Sequence, residues 1–180
     1  MIKLHLGCGK RDFGTDWIHI DEADFPHIKY KNVLNLEFPN NTVDLIYTSH
    51  MLEYFNRDEA KNVLMEWSRV LKPTGVLRIA VPDFEAMAKL YCNEKYTLDK
   101  FLGPLFGKMP QNDSVIYHKT TYDFDSLKKI LEECGFSSIH RYDWRNTEHA
   151  HIDDHSQAYI PHMDKENGTL ISLNVEGSKQ

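Results

Sequence analysis

Strand-like and helix-like segments alternate along this chain, and such an alternation folds into a parallel, doubly wound sheet. Residues 2–6 form a short apolar strand that ends in Gly7-Cys8-Gly9. Residues 17–20 make a second, closed by Asp21, and residues 31–34 a third, closed by Asn35. The fourth, residues 43–47, runs into Thr48-Ser49-His50, and the fifth, residues 76–81, into Pro82-Asp83. Residues 136–142 and 169–175 read as the sixth and seventh. No helix separates those two, so the seventh is expected to enter antiparallel.

The helices between them are better marked. Residues 57–71 place Ala60, Val63, Leu64, Trp67, Val70 and Leu71 at helical spacing. Asn56 and Glu59 form a capping pair, and Lys72-Pro73-Thr74-Gly75 stops the helix. Residues 124–134 repeat the pattern, with Asp123 as cap and Gly135 just past the end. A shorter helix over residues 83–91 follows the fifth strand. The expected architecture is an α/β fold of one domain over residues 1–180, with a mostly parallel seven-stranded sheet and a shortened or missing first helix. Open α/β sheets bind ligands beyond the C-terminal ends of their strands. The segments after strands one to five lie there, as do Tyr117-His118-Lys119 and the 145–168 connection.

Composition excludes several classes. A chain of 180 residues can bury a core without disulfides or metal. The net charge of −6, with no basic block, argues against nucleic acid as a partner. Lys10-Arg11 reads as a solvated loop. No apolar run approaches the roughly 18 residues of a membrane span, and residues 1–6 enter the strand pattern without a signal region, so a cytoplasmic protein is expected. Cys8, Cys92 and Cys134 suggest neither a zinc site nor a disulfide framework.

Leu6-Gly7-Cys8-Gly9 is a strand opening into a glycine turn, which lets a ligand approach the backbone closely. The acid ending the next strand, Asp21, can accept the hydroxyls of a ribose. A dinucleotide site also needs a third glycine, a helix N-terminus and an acid about 20 residues on. Here Asp12 stands where the third glycine belongs, and Asp21 follows Gly9 by only 12 residues. A negative charge and a missing helix disfavour phosphates. They suit S-adenosylmethionine (SAM), which has no phosphate and carries a positive sulfonium.

With that, the chain resembles the class I SAM-dependent methyltransferases, in particular small bacterial and viral-type members, over nearly its whole length. Leu6-Gly7-Cys8-Gly9 resembles the family's glycine motif, and Trp17-Ile18-His19-Ile20-Asp21 its approach to the ribose-binding acid. Asn35-Leu36 before Val43-Asp44-Leu45-Ile46 is similar to the adenine-side segment, with Asn35 where aspartate is common. Ser49-His50-Met51-Leu52-Glu53-Tyr54 is similar to the motif after the fourth strand, with Tyr54 in place of the usual histidine, and residues 66–81 resemble the stretch E-x-x-R-V-L-K-P-G-G-x-L-x-I. The resemblance implies that Gly7, Cys8 and Gly9 line the methionine part of SAM and Asp21 the ribose. Asn35 and Leu36 would lie beside the adenine, and Ser49 and His50 under the sulfonium.

Catalysis by methyl transfer rests largely on positioning, and an oxygen acceptor also needs a general base, for which histidine is suited. His50, His118 and His155 are the catalytic candidates, each with a packing role as its plain alternative. His5 and His19, within strands, read as structural, and His27 and His140 as surface residues. The run Glu148-His149-Ala150-His151-Ile152-Asp153-Asp154-His155 reads as a substrate-contacting loop or a solvated one, with no standard metal spacing. Asp83 reads first as a helix cap. The apolar, broken insertion of residues 92–118 is expected to be a lid over the acceptor or a contact with a second subunit. The expected function is transfer of a methyl group from SAM to a small acceptor, a hydroxyl on a sugar or glycan precursor being favoured, by a monomer or homodimer. A SAM-binding module without turnover is one alternative, and a nucleotide-sugar or dinucleotide oxidoreductase a less favoured one.

Overall fold

The computed structural model describes residues 1–94, 96–111 and 114–180; Lys95, Asn112 and Asp113, inside the expected lid, lie outside the described residues. Seven strands form the main sheet: β1 (Lys3–Leu6), β2 (Trp17–Ile20), β3 (Ile28–Tyr30), β4 (Val43–Ser49), β5 (Leu71–Pro82), β6 (Phe136–Arg141) and β7 (Ser172–Lys179). Their order is β3-β2-β1-β4-β5-β7-β6. The first five pair in parallel, and β7 runs antiparallel to both β5 and β6, as the missing crossover helix requires.

Among the described residues, four α-helices accompany the sheet: α1 (Arg57–Val70), α2 (Phe84–Asn93), the short α3 (Leu102–Phe106) and α4 (Phe124–Glu133). The predicted caps are present. The Asn56 side chain accepts from the Asp58 and Glu59 amides while Glu59 accepts from the Asn56 amide. Asp123 closes a similar box with Ser126, and Asp83 caps α2 through the Ala86 amide. None of the helices among the described residues is long and apolar enough to cross a membrane.

Three strands differ from the sequence expectation. The fifth begins at Leu71, ahead of the predicted 76, because Leu71 pairs with Val43 and Lys72-Pro73-Thr74-Gly75 is absorbed as an irregularity in the register with β4. The third lies at Ile28–Tyr30, before the predicted 31–34, because Asn32 Oδ1 accepts from the Leu34 and Asn35 amides and turns the backbone out of the sheet. The seventh begins at Ser172 and runs to Lys179, beyond the predicted end at residue 175. Thr169–Leu170 pairs instead with Tyr159–Ile160 in a separate two-stranded piece. The polar tail Gly177-Ser178-Lys179 stays in the sheet because Leu77, Val76 and Phe136 sit opposite it.

The two faces of the sheet are covered differently. Leu4, Leu6, Ile20, Ile46, Leu77 and Ile79 bury against Ala60, Leu64 and Trp67 of α1 and Leu127 and Leu131 of α4. Each such side chain contributes roughly 1.5–3 kcal/mol when fully buried. On the opposite face His19, His5 and Tyr47 form a row across β2, β1 and β4. The segment between β1 and β2 contains no helix. Its Phe13 stacks on His5 at 3.9 Å, and His149 from the 145–168 connection stacks on Phe13 at 4.3 Å. An aromatic plug from two loops thus stands where a first helix would cover the sheet.

Candidate active site at the strand C-termini

Gly7 and Gly9 both take positive φ, +65° and +53°. The Gly7 amide donates to Ile20 O, fixing the turn to β2. Gly9 N–H donates to Asp21 Oδ2 at 2.8 Å, and Ala23 N–H to Asp21 Oδ1 at 2.8 Å. A Cβ at Gly7 would meet Met51 Sδ at 2.7 Å, whereas nothing lies within 4 Å of one at Gly9. The turn is therefore packed from behind and open at Gly9. Cys8 is buried, and burial pushes its thiol up to about 12, so it serves as an apolar filler.

His27, read from sequence as a surface residue, is half-buried and donates from Nε2 to Gly9 O at 3.0 Å. Asn35 is exposed in the loop after β3, its amide held by Asn32. Leu36, expected beside an adenine, is 2% exposed and packs into the core. Its backbone is clamped on both sides, its amide donating to Glu66 Oε1 and its carbonyl accepting from Arg69. Glu66 and Arg69 also pair with each other. The motif residues Glu66 and Arg69 thus act by pinning this loop to α1.

Past β4 the chain brings together groups from four segments. His50 holds a left-handed backbone, φ +53°, with its amide donating to Ala80 O. A histidine keeps that conformation only where its surroundings enforce it. Its Nε2 lies 3.1 Å from Ser172 Oγ on β7. Ser172 Oγ–H donates to Asn174 Oδ1, whose amide in turn donates to Ser156 O. Ser172 has thus spent its proton and accepts from His50 Nε2–H, which leaves the His50 Nδ1 lone pair facing Glu53 Oε1 at 3.5 Å. Met51, next in the chain, is the residue packed on Gly7, so the glycine turn and the His50 segment are neighbours.

His118 reaches the same carboxyl from the other side. Its Nδ1 donates to Pro104 O at 3.0 Å, so its Nε2 carries the lone pair and stands 3.7 Å from Glu53 Oε1. The ring rests on Gly107, where a Cβ would fall 2.3 Å from Nε2. Tyr54 meets it edge-on at 4.6 Å. Glu53 itself is 0% exposed, and neither of its carboxyl oxygens has a hydrogen-bond partner. Burial pushes it up to about 8, and burial likewise holds His50 well below its ordinary 6.5 and lowers His118. His155, exposed on the 145–168 connection, places its ring 5.2 Å from that of His50.

All three candidate histidines therefore converge, with Ser49 half-buried beside them. The residue that sequence reasoning quoted without a role is Glu53; an acid between Leu52 and Tyr54 was the available signal. The run 148–155 does not act as one loop. Glu148 pairs with Lys3, His149 is only 4% exposed within the aromatic plug, and Asp154 accepts from Tyr47 and Ser156. No group of three or more His, Cys, Asp or Glu among the described residues is arranged to hold a metal ion. Arg11, read as solvated, donates to Asp153 O and ties the β1–β2 loop to this connection. Asp83 caps its helix as expected and also pairs with Arg141 at 3.0 Å.

Insertion residues split between two roles. Phe101 buries with Met87, Leu90, Ile160 and Ile171 in a small second core, while Leu102, Phe106 and Met109 are exposed.

Comparison with known proteins agrees with the fold. Residues 12–79 match the family described as Methyltransferase domain. The ubiquinone/menaquinone biosynthesis C-methyltransferase UbiE of Salmonella paratyphi B is 33% identical over 120 residues, covering 62% of this chain and 45% of that protein. The chain thus spans less than half the length of that relative. A SAM-dependent methyltransferase from Methanosarcina mazei superposes with a TM-score of 0.59 at 15% identity, covering 98% of this chain and 91% of the other. The 1,6-didemethyltoxoflavin-N1-methyltransferase of Burkholderia thailandensis, solved with S-adenosylhomocysteine (SAH), superposes with a TM-score of 0.57 at 13% identity over 99% of this chain and 71% of its own. By sheet order and by these neighbours, the chain has the fold of the SAM-dependent methyltransferases on which it superposes, and its residues 12–79 are similar to the methyltransferase domain.

Proposed function

We propose that this chain binds SAM across Gly7, Cys8, Gly9 and Asp21 and moves its methyl group to a small-molecule acceptor. The observation that carries the reading is the glycine turn tied to Asp21 with no helix between them. Gly9 has open space where a side chain would stand, and Asp21 keeps unused acceptor positions beyond its two backbone bonds. These residues fit a ribose and an amino-acid moiety, and the acid Asp12 and absent helix dipole do not fit a pyrophosphate. SAM would supply the electrophilic methyl group there. This chain supplies the turn, the ribose acceptor and the proton-handling side chains at the end of β4.

Among the three histidines, His155 is the one we assign to meet the acceptor. His50 and His118 are turned inward by Ser172, Pro104 and Glu53, whereas His155 is exposed at their edge. His50 and His118 are then positioning residues. Neutral imidazoles suit an acceptor that gives up a proton on methylation. A hydroxyl of a sugar or glycan precursor is the first choice. A carbon acceptor, as taken by the quinone-biosynthesis C-methyltransferase, is the second, favoured by the 33% identity to that relative.

Calorimetric titration with SAM, SAH, NAD and a nucleotide-sugar tests the cofactor. Binding of SAM and SAH alone is the expected result, and failure of both to bind overturns the proposal. Turnover against a panel of sugars, phenols and quinol precursors tests the acceptor. His155→Ala should lower kcat about 10²–10⁴-fold with SAH affinity retained. Binding without turnover on any acceptor would mark a SAM-binding module instead.

A further inference from the structure

A buried carboxyl group with no hydrogen-bond partner is rare, because it forfeits its hydration without replacement. Glu53 is such a group, and two imidazoles with opposite tautomers aim their lone pairs at the same oxygen. The Ser172–Asn174–Ser156 chain fixes one tautomer and Pro104 O the other. Two lone pairs facing one carboxyl leave room for one proton between three groups. With both imidazoles neutral, that proton belongs to Glu53.

Its own backbone amide favours an ionised Glu53, but burial outweighs it and the other surroundings add little. Lys119 and Thr120 approach it only through their amides, which donate to the Glu53 main-chain carbonyl. Tyr54 and Tyr122 flank it as neutral phenols, both pushed up first by burial and Tyr122 to about 12. Arg57 lies over the Tyr122 ring and donates to Thr120 Oγ1 and Thr121 O, and Lys119 Nζ pairs with Glu59. His155 and Arg11 act on His50, from the 145–168 connection and the β1–β2 loop, and both depress it. A positive charge arriving at the cofactor face would be the missing partner. Met51 seats this segment directly on Gly7, two residues before Glu53.

We propose that Glu53, held as a neutral acid between His50 and His118, releases its proton when a cationic ligand occupies the glycine turn, so that SAM binding is coupled to deprotonation and SAH binding is not. This rests on the SAM reading above. On binding, the Glu53 O–H bond breaks, the proton passes to solvent, and the carboxylate offsets the sulfonium charge. After methyl transfer the product sulfur is neutral, so the proton returns and the site's preference for its ligand weakens. Glu53 would act through electrostatics and the two imidazoles, as a positioning residue.

A nearby opposite charge lowers a carboxyl by about 1–3 units, which carries Glu53 from about 8 to near or below neutrality. The test is calorimetry at pH 7.5 in phosphate and in Tris, the dependence of heat on buffer giving the protons exchanged. SAM should release about half a proton or more beyond SAH, and that excess should vanish in Glu53→Gln. An excess that persists in Glu53→Gln, or no excess in the wild type while both ligands bind, overturns this inference alone. Failure of both ligands to bind overturns the cofactor reading as well. A second measurement needs no variant. The ratio of SAM to SAH affinity should rise about tenfold or more between pH 6 and pH 8.5 and then level off. A ratio flat across that range overturns the proposal.

Discussion

The Gly9 amide donates to Asp21 Oδ2 at 2.8 Å, a bond from the β1 turn to the acid that ends β2. The other carboxylate oxygen is taken by Ala23 N–H. Asp21 therefore shapes the turn it would share with a ribose, and its orientation is set before any ligand arrives. Pre-set acceptors lose little on binding, since the ordering has already occurred on folding.

Removal of Asp21 should harm binding by two routes. Asp21→Ala frees the Gly9 amide and deletes the proposed ribose acceptor, and each charge-assisted bond contributes about 1.5–3 kcal/mol. The expected loss of SAH affinity is about 100-fold or more. Asp21→Asn keeps one acceptor oxygen but turns an amide donor toward a backbone N–H, and should lose about tenfold. Calorimetric titration of both variants measures this; SAH affinity unchanged in Asp21→Ala would remove Asp21 from the site.

The two glycines should separate folding from binding. A Cβ at Gly7 meets Met51 Sδ at 2.7 Å as well as an unfavourable φ of +65°. Gly7→Ala is expected to destabilise the fold by about 2 kcal/mol or more, from left-handed strain plus overpacking. Gly9→Ala should cost only about 1 kcal/mol of strain, yet its methyl group stands in the open space at the turn and should weaken SAH binding at least tenfold. Urea denaturation beside SAH titration resolves the pair. Equal stability losses with unchanged affinity in Gly9→Ala would contradict this division.

Topology made much of the site legible in sequence. Strand alternation forces Gly7, Asp21, His50 and the approach to α4 onto one end of the sheet, so His118 and His155 could be assigned to that end without knowing their contacts. What the pattern did not carry were features decided by partners distant in sequence. Glu53 gains its meaning only when His118 folds back over it, and the polar end of β7 is held by Val76, Leu77 and Phe136. The shift of β3 came from one side chain, Asn32, satisfying two amides ahead of it. His149 sat in a run of His and Asp that reads as a polar loop, but Phe13, far away in the chain, offers it a ring to stack on.

Opposite tautomers are expected for the two inner histidines. Ser172 accepts from His50 Nε2–H, while Pro104 O accepts from His118 Nδ1–H. Nitrogen-15 shifts of the labelled rings at pH 7.5 should report the Nε2–H form for His50 and the Nδ1–H form for His118. Ser172→Ala removes the acceptor and should move His50 to a mixture of forms, leaving His118 unchanged. The same tautomer at both positions would refute the hydrogen-bond directions deduced from the Asn174–Ser172 chain.

Acid should destabilise the fold well before the carboxylates titrate. His149 is buried against Phe13 and Tyr47, and burial lowers it from 6.5 to about 3. Burial lowers His5, His19 and His50 as well. In the unfolded chain each takes up a proton near pH 6.5, so below that value the unfolded state binds more protons than the folded one. The stability these neutral rings contribute is complete above about pH 6.5 and is lost as pH falls toward the folded values, by roughly 1.4 kcal/mol per unit for each fully coupled group. Replacing the ring without its titration, as in His149→Phe, keeps the aromatic stack and removes one such group. Urea unfolding at pH 7.0, 5.5 and 4.5 should therefore show a steep loss of stability in the wild type and a loss shallower by about 2 kcal/mol across that span in His149→Phe. Parallel curves for the two proteins would mean that His149 is protonated in the folded state and that the plug over β1 and β4 admits water.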